Sequence, residues 1–142
     1  MKILLAVDGS KPSLDAVDLL VEHADWFRSR PEVELVTVHL PVPRVPGISA
    51  VVAKSGIQRY YAEEGAERLA AAKRKLDAAR IPYAEHILVG PVAESLVKHA
   101  KDKRCDLIYV GTRGMTGAAA ALVGSTASKV LHISPIPVLL VK

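Results

Sequence analysis

Short β-type runs alternate with longer helical stretches along this chain, and that alternation restricts its fold more than any other feature of the sequence. Ile3 to Val7, Val33 to Leu40, Tyr83 to Val89, Leu107 to Val110 and Val138 to Val141 are short and rich in Val, Ile and Leu. Several are too continuously apolar to be half-exposed, so they read as strands covered on both faces. The pattern predicts an α/β domain with a five-stranded parallel sheet between layers of helices.

The intervening segments carry helix signals. The first helix begins after Asp8-Gly9-Ser10, with Ser10 as N-cap and Pro12 near the first helical position, and it stops before Pro31. Leu14, Val17, Leu20 and Val21 supply its buried stripe. The second lies between the Pro-rich segment Pro41 to Gly47 and Ile81-Pro82, with Ile57, Tyr60, Ala66, Leu69, Ala72, Leu76 and Ala79 on its apolar side. The loop ahead of it, roughly Pro41 to Lys54, is long for a βα connection and is expected to cover something. A third helix starts near Pro91 and turns Val92, Leu96, Val97 and Ala100 inward; a fourth opens near Gly124-Ser125-Thr126 and runs to about Ile133.

The chain has 142 residues, 50% apolar and 24% charged, which fits one folded domain over 1–142 and excludes disorder and collagen-like repeats. No apolar run is long enough for a membrane span or a secretory signal core, so a cytoplasmic protein is expected. A formal charge of +4 invites a nucleic-acid reading, but Arg68, Lys73, Arg74, Lys75 and Arg80 are interleaved with Glu63, Glu64, Glu67 and Asp77, as on the solvated face of a helix. Stacking side chains are scarce, with one Phe, one Trp and four Tyr, and neither nucleic acid nor membrane is expected as a partner. Cys105, the single cysteine, reads as a small buried thiol; only the neighbouring Arg104 argues for reactivity.

Open parallel sheets bind ligands beyond the carboxyl ends of their strands, where the strand order reverses. In a sheet of order 3-2-1-4-5 that place lies between the first and fourth strands, flanked by Asp8-Gly9-Ser10 and the loop from Gly111. There the chain reads Gly111-Thr112-Arg113-Gly114, followed after nine residues by Gly124-Ser125-Thr126 at a helix start. Gly111 and Gly114 allow positive φ and close approach of a ribose or phosphate, while Gly124 opens amide donors at the helix N-terminus, where anions are favoured. A bland reading assigns the glycines to turns and Ser125 to a cap; nucleotide binding accounts for their combination. No Walker loop and no dinucleotide fingerprint occurs.

The chain resembles the universal stress protein family, in particular its ATP-binding branch. The resemblance rests on Ile3 to Ser10, Leu35-Val36-Thr37-Val38-His39, Cys105 to Gly111, the glycine loop, and Ser134 to Val141. It implies a Rossmann-like three-layer α/β/α sandwich, homodimerisation, and ATP between the first and fourth strand ends; the C-terminal strand Val138 to Val141, an apolar sheet edge with few charges, is expected to carry the dimer contact. By position, Ala6, Val7 and Asp8 would line the adenosine end and Val38 would contact adenine. Gly111, Arg113, Gly114, Gly124, Ser125 and Thr126 would hold ribose and phosphates. Where many ATP-binding relatives place a basic residue, Met115 to Val123 has none.

Mg²⁺ or Mn²⁺ could accompany the phosphates through Asp8 with Ser125 or Thr126; Asp8 is equally suited to bond its own backbone in a turn. His23, His39, His86, His99 and His132 show no His-x-x-x-His spacing, so no zinc site is expected, and His39 is expected to be packed. The reading is a nucleotide-dependent stress-response or signalling protein with little or no ATPase activity. The alternatives are a slow adenine-nucleotide hydrolase and a nucleotide-free dimeric scaffold. The pyrophosphatase loop Ser-Gly-Gly-x-Asp-Ser is absent; the loop here is Val7-Asp8-Gly9-Ser10-Lys11.

Overall fold

A computed structural model describes residues 1–43, 50–112 and 123–142, apart from the side chains of 50–53. The chain runs β1 (Lys2–Ala6), α1 (Lys11–Glu22), β2 (Glu32–His39), α2 (Ala50–Ala78), β3 (Tyr83–Val89), α3 (Val92–Asp102), β4 (Leu107–Gly111), α4 (Ser125–Ile133) and β5 (Val138–Val141). All strand pairs are parallel, in the order β3-β2-β1-β4-β5. Register is set by Ile3 opposite both Val33 of β2 and Leu107 of β4.

Alternation along β1 sends successive side chains to opposite faces, and each face finds its own core. Leu5 joins Val33, Leu35 and Tyr109 beneath Ala16, Val17 and Leu20 of α1 and Leu69, Ala72 and Leu76 of α2. Leu4 joins Val36, Ile108 and Val110 beneath Leu96, Val97 and Ala100 of α3 and Val130 of α4. The expectation of strands covered on both faces holds for β1, β2 and β4. It fails for the edge strand β3, whose Ala84, Glu85 and Val89 are exposed.

Two helical stripes differ from those predicted. In α1 the buried positions are Ser13, Ala16, Val17 and Leu20, with Leu14 and Val21 only half-buried. The helix is rotated towards Ser13 because that hydroxyl is used at its N-terminus, donating to Ser10 O at 2.9 Å, while Ser10 Oγ accepts from Ser13 N at 3.4 Å. In α2, Tyr60 and Ala66 are exposed and Gly65 is buried instead. A Cβ on Gly65 would stand 2.7 Å from Ile87 Cδ1, so the missing side chain lets α2 settle onto β3.

Both α2 and α3 end in Schellman-type turns with arginine in the left-handed position, Arg80 at φ 54° and Arg104 at φ 55°. Ile81 N donates to Leu76 O at 3.0 Å and Cys105 N to Ala100 O at 2.8 Å. Arg104 thus terminates a helix. Burial, then the Glu34 charge, pushes the Cys105 thiol up to about 11, the behaviour of a packed cysteine.

Three chemically active side chains meet on the α3 side of the sheet, towards the amino ends of the strands. Glu34 of β2 has Oε2 2.6 Å from His86 Nε2 of β3 and 3.6 Å from His99 Nε2 of α3. Burial alone would raise the Glu34 carboxyl, but the hydrogen bond and charge of His86, with Lys103 and Lys2, hold it below its ordinary value. The linear spacing of histidines gave no hint of this convergence because the members come from three separate elements. Among the described residues no helix is long and apolar enough to cross a membrane.

Candidate functional site

The helices leave the central strand on opposite sides: α1 and α2 pack on one face, α3 and α4 on the other. A cleft of about 430 Å³ opens where they part, beyond the carboxyl ends of β1 and β4. Its size falls within the roughly 300–1,000 Å³ of small-molecule sites.

Asp8, Gly9 and Ser10 form the turn that leads from β1 into α1. Asp8 Oδ1 accepts from Ser10 N at 2.9 Å, Asp8 N donates to Ser13 Oγ at 3.3 Å, and Gly9 takes φ 83°. Asp8 therefore fills the turn role proposed for it and also lines the cleft. One carboxylate oxygen is already engaged by the backbone.

Across the cleft, β4 ends at Gly111. A Cβ there would lie 2.6 Å from Pro12 O and 2.8 Å from Pro12 C. Gly111 is not among the glycines with positive φ. The reason expected for this glycine is thus corrected: it makes room for the backbone of α1, which draws the two walls of the cleft together. Gly124 also differs from expectation, since its N–H donates to Thr112 O at 2.6 Å and is not an open donor. That bond ties the start of α4 to the end of β4. The amides of Ser125, Thr126 and Ala127 follow, at a helix start with no side-chain cap. They have no preceding intrahelical carbonyl to bond and all three residues line the cleft.

Ala6, Val7, Asp8, Val38, Gly111, Gly124, Ser125 and Thr126 all line this one cleft. Arg113 and Gly114 lie outside the described residues, as does most of the Ala-rich stretch. Ala6, Val36, Val38, Val92, Leu96 and Val110 give the cleft an apolar wall.

The sequence reading missed Arg68 and Tyr60. Arg68 had been assigned to a solvated helix face; it lines the cleft and bonds Glu64 Oε1 through Nη2 at 2.7 Å. Tyr60, Glu64 and Arg68 recur every fourth residue along α2, and that helical spacing was the available signal. Hydrogen bonds from Tyr60, then Arg68, hold the Glu64 carboxyl below its ordinary value. His39 is packed as expected, only 3% exposed, with its ring centroid 5.3 Å from that of Tyr61. It also lines the cleft, and its buried Nε2 has no hydrogen-bond partner among the described residues. Burial, then the Arg68 charge, lowers its pKa and favours neutral imidazole.

An open parallel sheet of this order, with helices on both faces and a cleft at its topological switch point, defines the Rossmann-like class of α/β proteins. Within that class, the chain belongs to the universal stress protein family, whose family model matches residues 1–142. Universal stress protein MJ0531 of Methanocaldococcus jannaschii is 32% identical over 142 residues, covering 99% of this chain and 81% of the relative. The solved structure of MJ0577 from the same organism superposes with a TM-score of 0.82 at 28% identity, covering 99% and 94% of the two chains. A universal stress protein solved in complex with cAMP has a TM-score of 0.63 at 25% identity, covering 99% and 95%.

Proposed function

We propose that the cleft binds adenine nucleotides, ATP among them, and that occupancy governs what this protein presents to partners in a stress response. The observation that carries the reading is the pairing, in one cleft, of an apolar wall around Val36 and Val38 with the unbonded amides at the start of α4. The first suits a base and the second a phosphate chain. The cAMP complex of a relative supports an adenine nucleotide. Arg68 contributes a cation to the cleft lining, whereas the sequence Met115 to Val123 contains none. A Mg²⁺ or Mn²⁺ bound with the phosphates would take Asp8 and the hydroxyl of Ser125 or Thr126.

Turnover is expected to be slow or absent. Phosphoryl transfer needs a positioned base and several groups stabilising developing charge. Asp8 is tied into its turn, and His39 packs against Tyr61 of α2, on the face of the sheet opposite α4. In titration calorimetry the purified chain should bind ATP, and Arg68→Ala should weaken ATP about tenfold while weakening adenosine much less. A steady-state assay with Mg²⁺ should read far below the roughly 10 s⁻¹ typical of enzymes. Absence of ATP binding to the folded chain would leave the scaffold reading in its place.

The same reading includes a homodimer. β5 is bonded to β4 on one side only, and its Val138, Leu139 and Leu140 are half-buried. A second copy can supply an antiparallel neighbour about a two-fold axis, closing the contact. Light scattering coupled to size exclusion should return the mass of two chains, and a monomer at micromolar concentration would defeat the assembly.

A further inference from the structure

The Glu34, His86 and His99 cluster lies outside the cleft lining, one step further towards the amino ends of the strands on the sheet face that carries Val36 and Leu96, and nothing in nucleotide binding uses it. Its donor atoms all lie within 4.8 Å of one another. Two imidazole nitrogens approach one carboxylate oxygen, at 2.6 Å and 3.6 Å. One proton serves the His86–Glu34 contact, and the buried His99 Nε2 stands 3.6 Å from the same oxygen, with no closer hydrogen-bond partner among the described residues. A cation seated between the three would engage both imidazole lone pairs and the carboxylate oxygen at once.

We propose that Glu34, His86 and His99 form a binding site for a divalent cation of the zinc class, taken up by two imidazole nitrogens and one carboxylate oxygen. Bond lengths of about 2.0–2.2 Å in a tetrahedral zinc site place donors about 3.3–3.6 Å apart, against 2.6 Å and 3.6 Å from the carboxylate oxygen to the two imidazoles and at most 4.8 Å between any two donors. Small side-chain rotations suffice. The scaffold is rigid: Val36 pairs with His86 in the β2–β3 register, which sets Glu34 two residues away, and Leu96, Val97 and Ala100 anchor the helix that carries His99. The imidazole pair favours zinc over magnesium or calcium, which prefer all-oxygen shells. The His86 side chain is 22% exposed, which leaves an approach for water as fourth ligand. Lys2 Nζ, 3.6 Å from Glu34 Oε1, occupies the other carboxylate oxygen and opposes a cation, which points to micromolar affinity.

The test uses the full chain, stripped with chelator and titrated with Zn²⁺ in a calorimeter. One Zn²⁺ should bind per chain, and His86→Gln and His99→Gln should each weaken it more than tenfold, while His23→Gln leaves it unchanged. Circular dichroism establishes that the variants fold. Independently of any variant, Zn²⁺ should shift the imidazole NMR signals of His86 and His99 and leave those of His23, His39 and His132 in place. Absence of saturable binding at micromolar Zn²⁺, undiminished binding by the His86→Gln/His99→Gln double variant, or shifts confined to the other histidines would each overturn the site.

Discussion

Gly111→Ala should cost about 3 kcal/mol of stability and weaken nucleotide binding in the fraction that folds. Its new methyl carbon would stand 2.6 Å from Pro12 O and 3.1 Å from Ser13 N, and these are backbone atoms in the first turn of α1. That turn cannot rotate aside as a side chain would. It is held by Ser10 as N-cap and by the burial of Ala16, Val17 and Leu20, and β4 is fixed from its other side by the pairing of Gly111 with Val141. Relief requires the end of β4 or the start of α1 to move, and both form walls of the cleft. Gly56→Ala is the matched control: no atom lies within 4 Å of a Cβ there, and alanine in a helix interior should add about 0.5–1 kcal/mol. Urea denaturation followed by circular dichroism reads both, and an unchanged midpoint for Gly111→Ala would sink the argument.

Leu4→Ala and Leu5→Ala should each cost about 2–5 kcal/mol although the residues are adjacent and point in opposite directions. Both are fully buried, Leu4 against α3 and α4, Leu5 against α1 and α2. They belong to separate core clusters, so the double variant loses packing on both faces of the sheet. Against a typical total of about 5–15 kcal/mol, the double variant should be largely unfolded at room temperature. Guanidinium titrations of the three variants decide it. A near-wild-type midpoint for either single variant would mean that its face of β1 is not packed as a core.

The parts of the fold that follow from local periodicity were legible in the sequence. The bounds of β3 and β5 match the apolar runs Tyr83 to Val89 and Val138 to Val141, and α4 opens at the Gly-Ser-Thr signal. The cleft follows from strand order, which brings Val7 and Gly111 together with no local pattern linking them. Where the reading failed, the information was not local. Gly65 looks like a weak point in a helix, and only the nearness of Ile87 makes it a contact surface. Arg68 carries the same charge on a solvated face or in a cleft wall. Glu34, His86 and His99 have no common spacing, and the β2–β3 register with the docking of α3 creates their proximity.

The seam between β1 and β4 joins distant parts of the chain: Lys2 N bonds Asp106 Oδ2 across 104 residues. Three strands can assemble from neighbouring segments, but this pairing must close a long loop before any contact rewards it. A molecule held in the cleft touches both banks of that seam and has no site on a chain in which it is open. It therefore acts as a clasp, adding about 2.7 kcal/mol when present at a hundred times its dissociation constant. The stability of the folded protein is then coupled to the concentration of whatever fills the cleft.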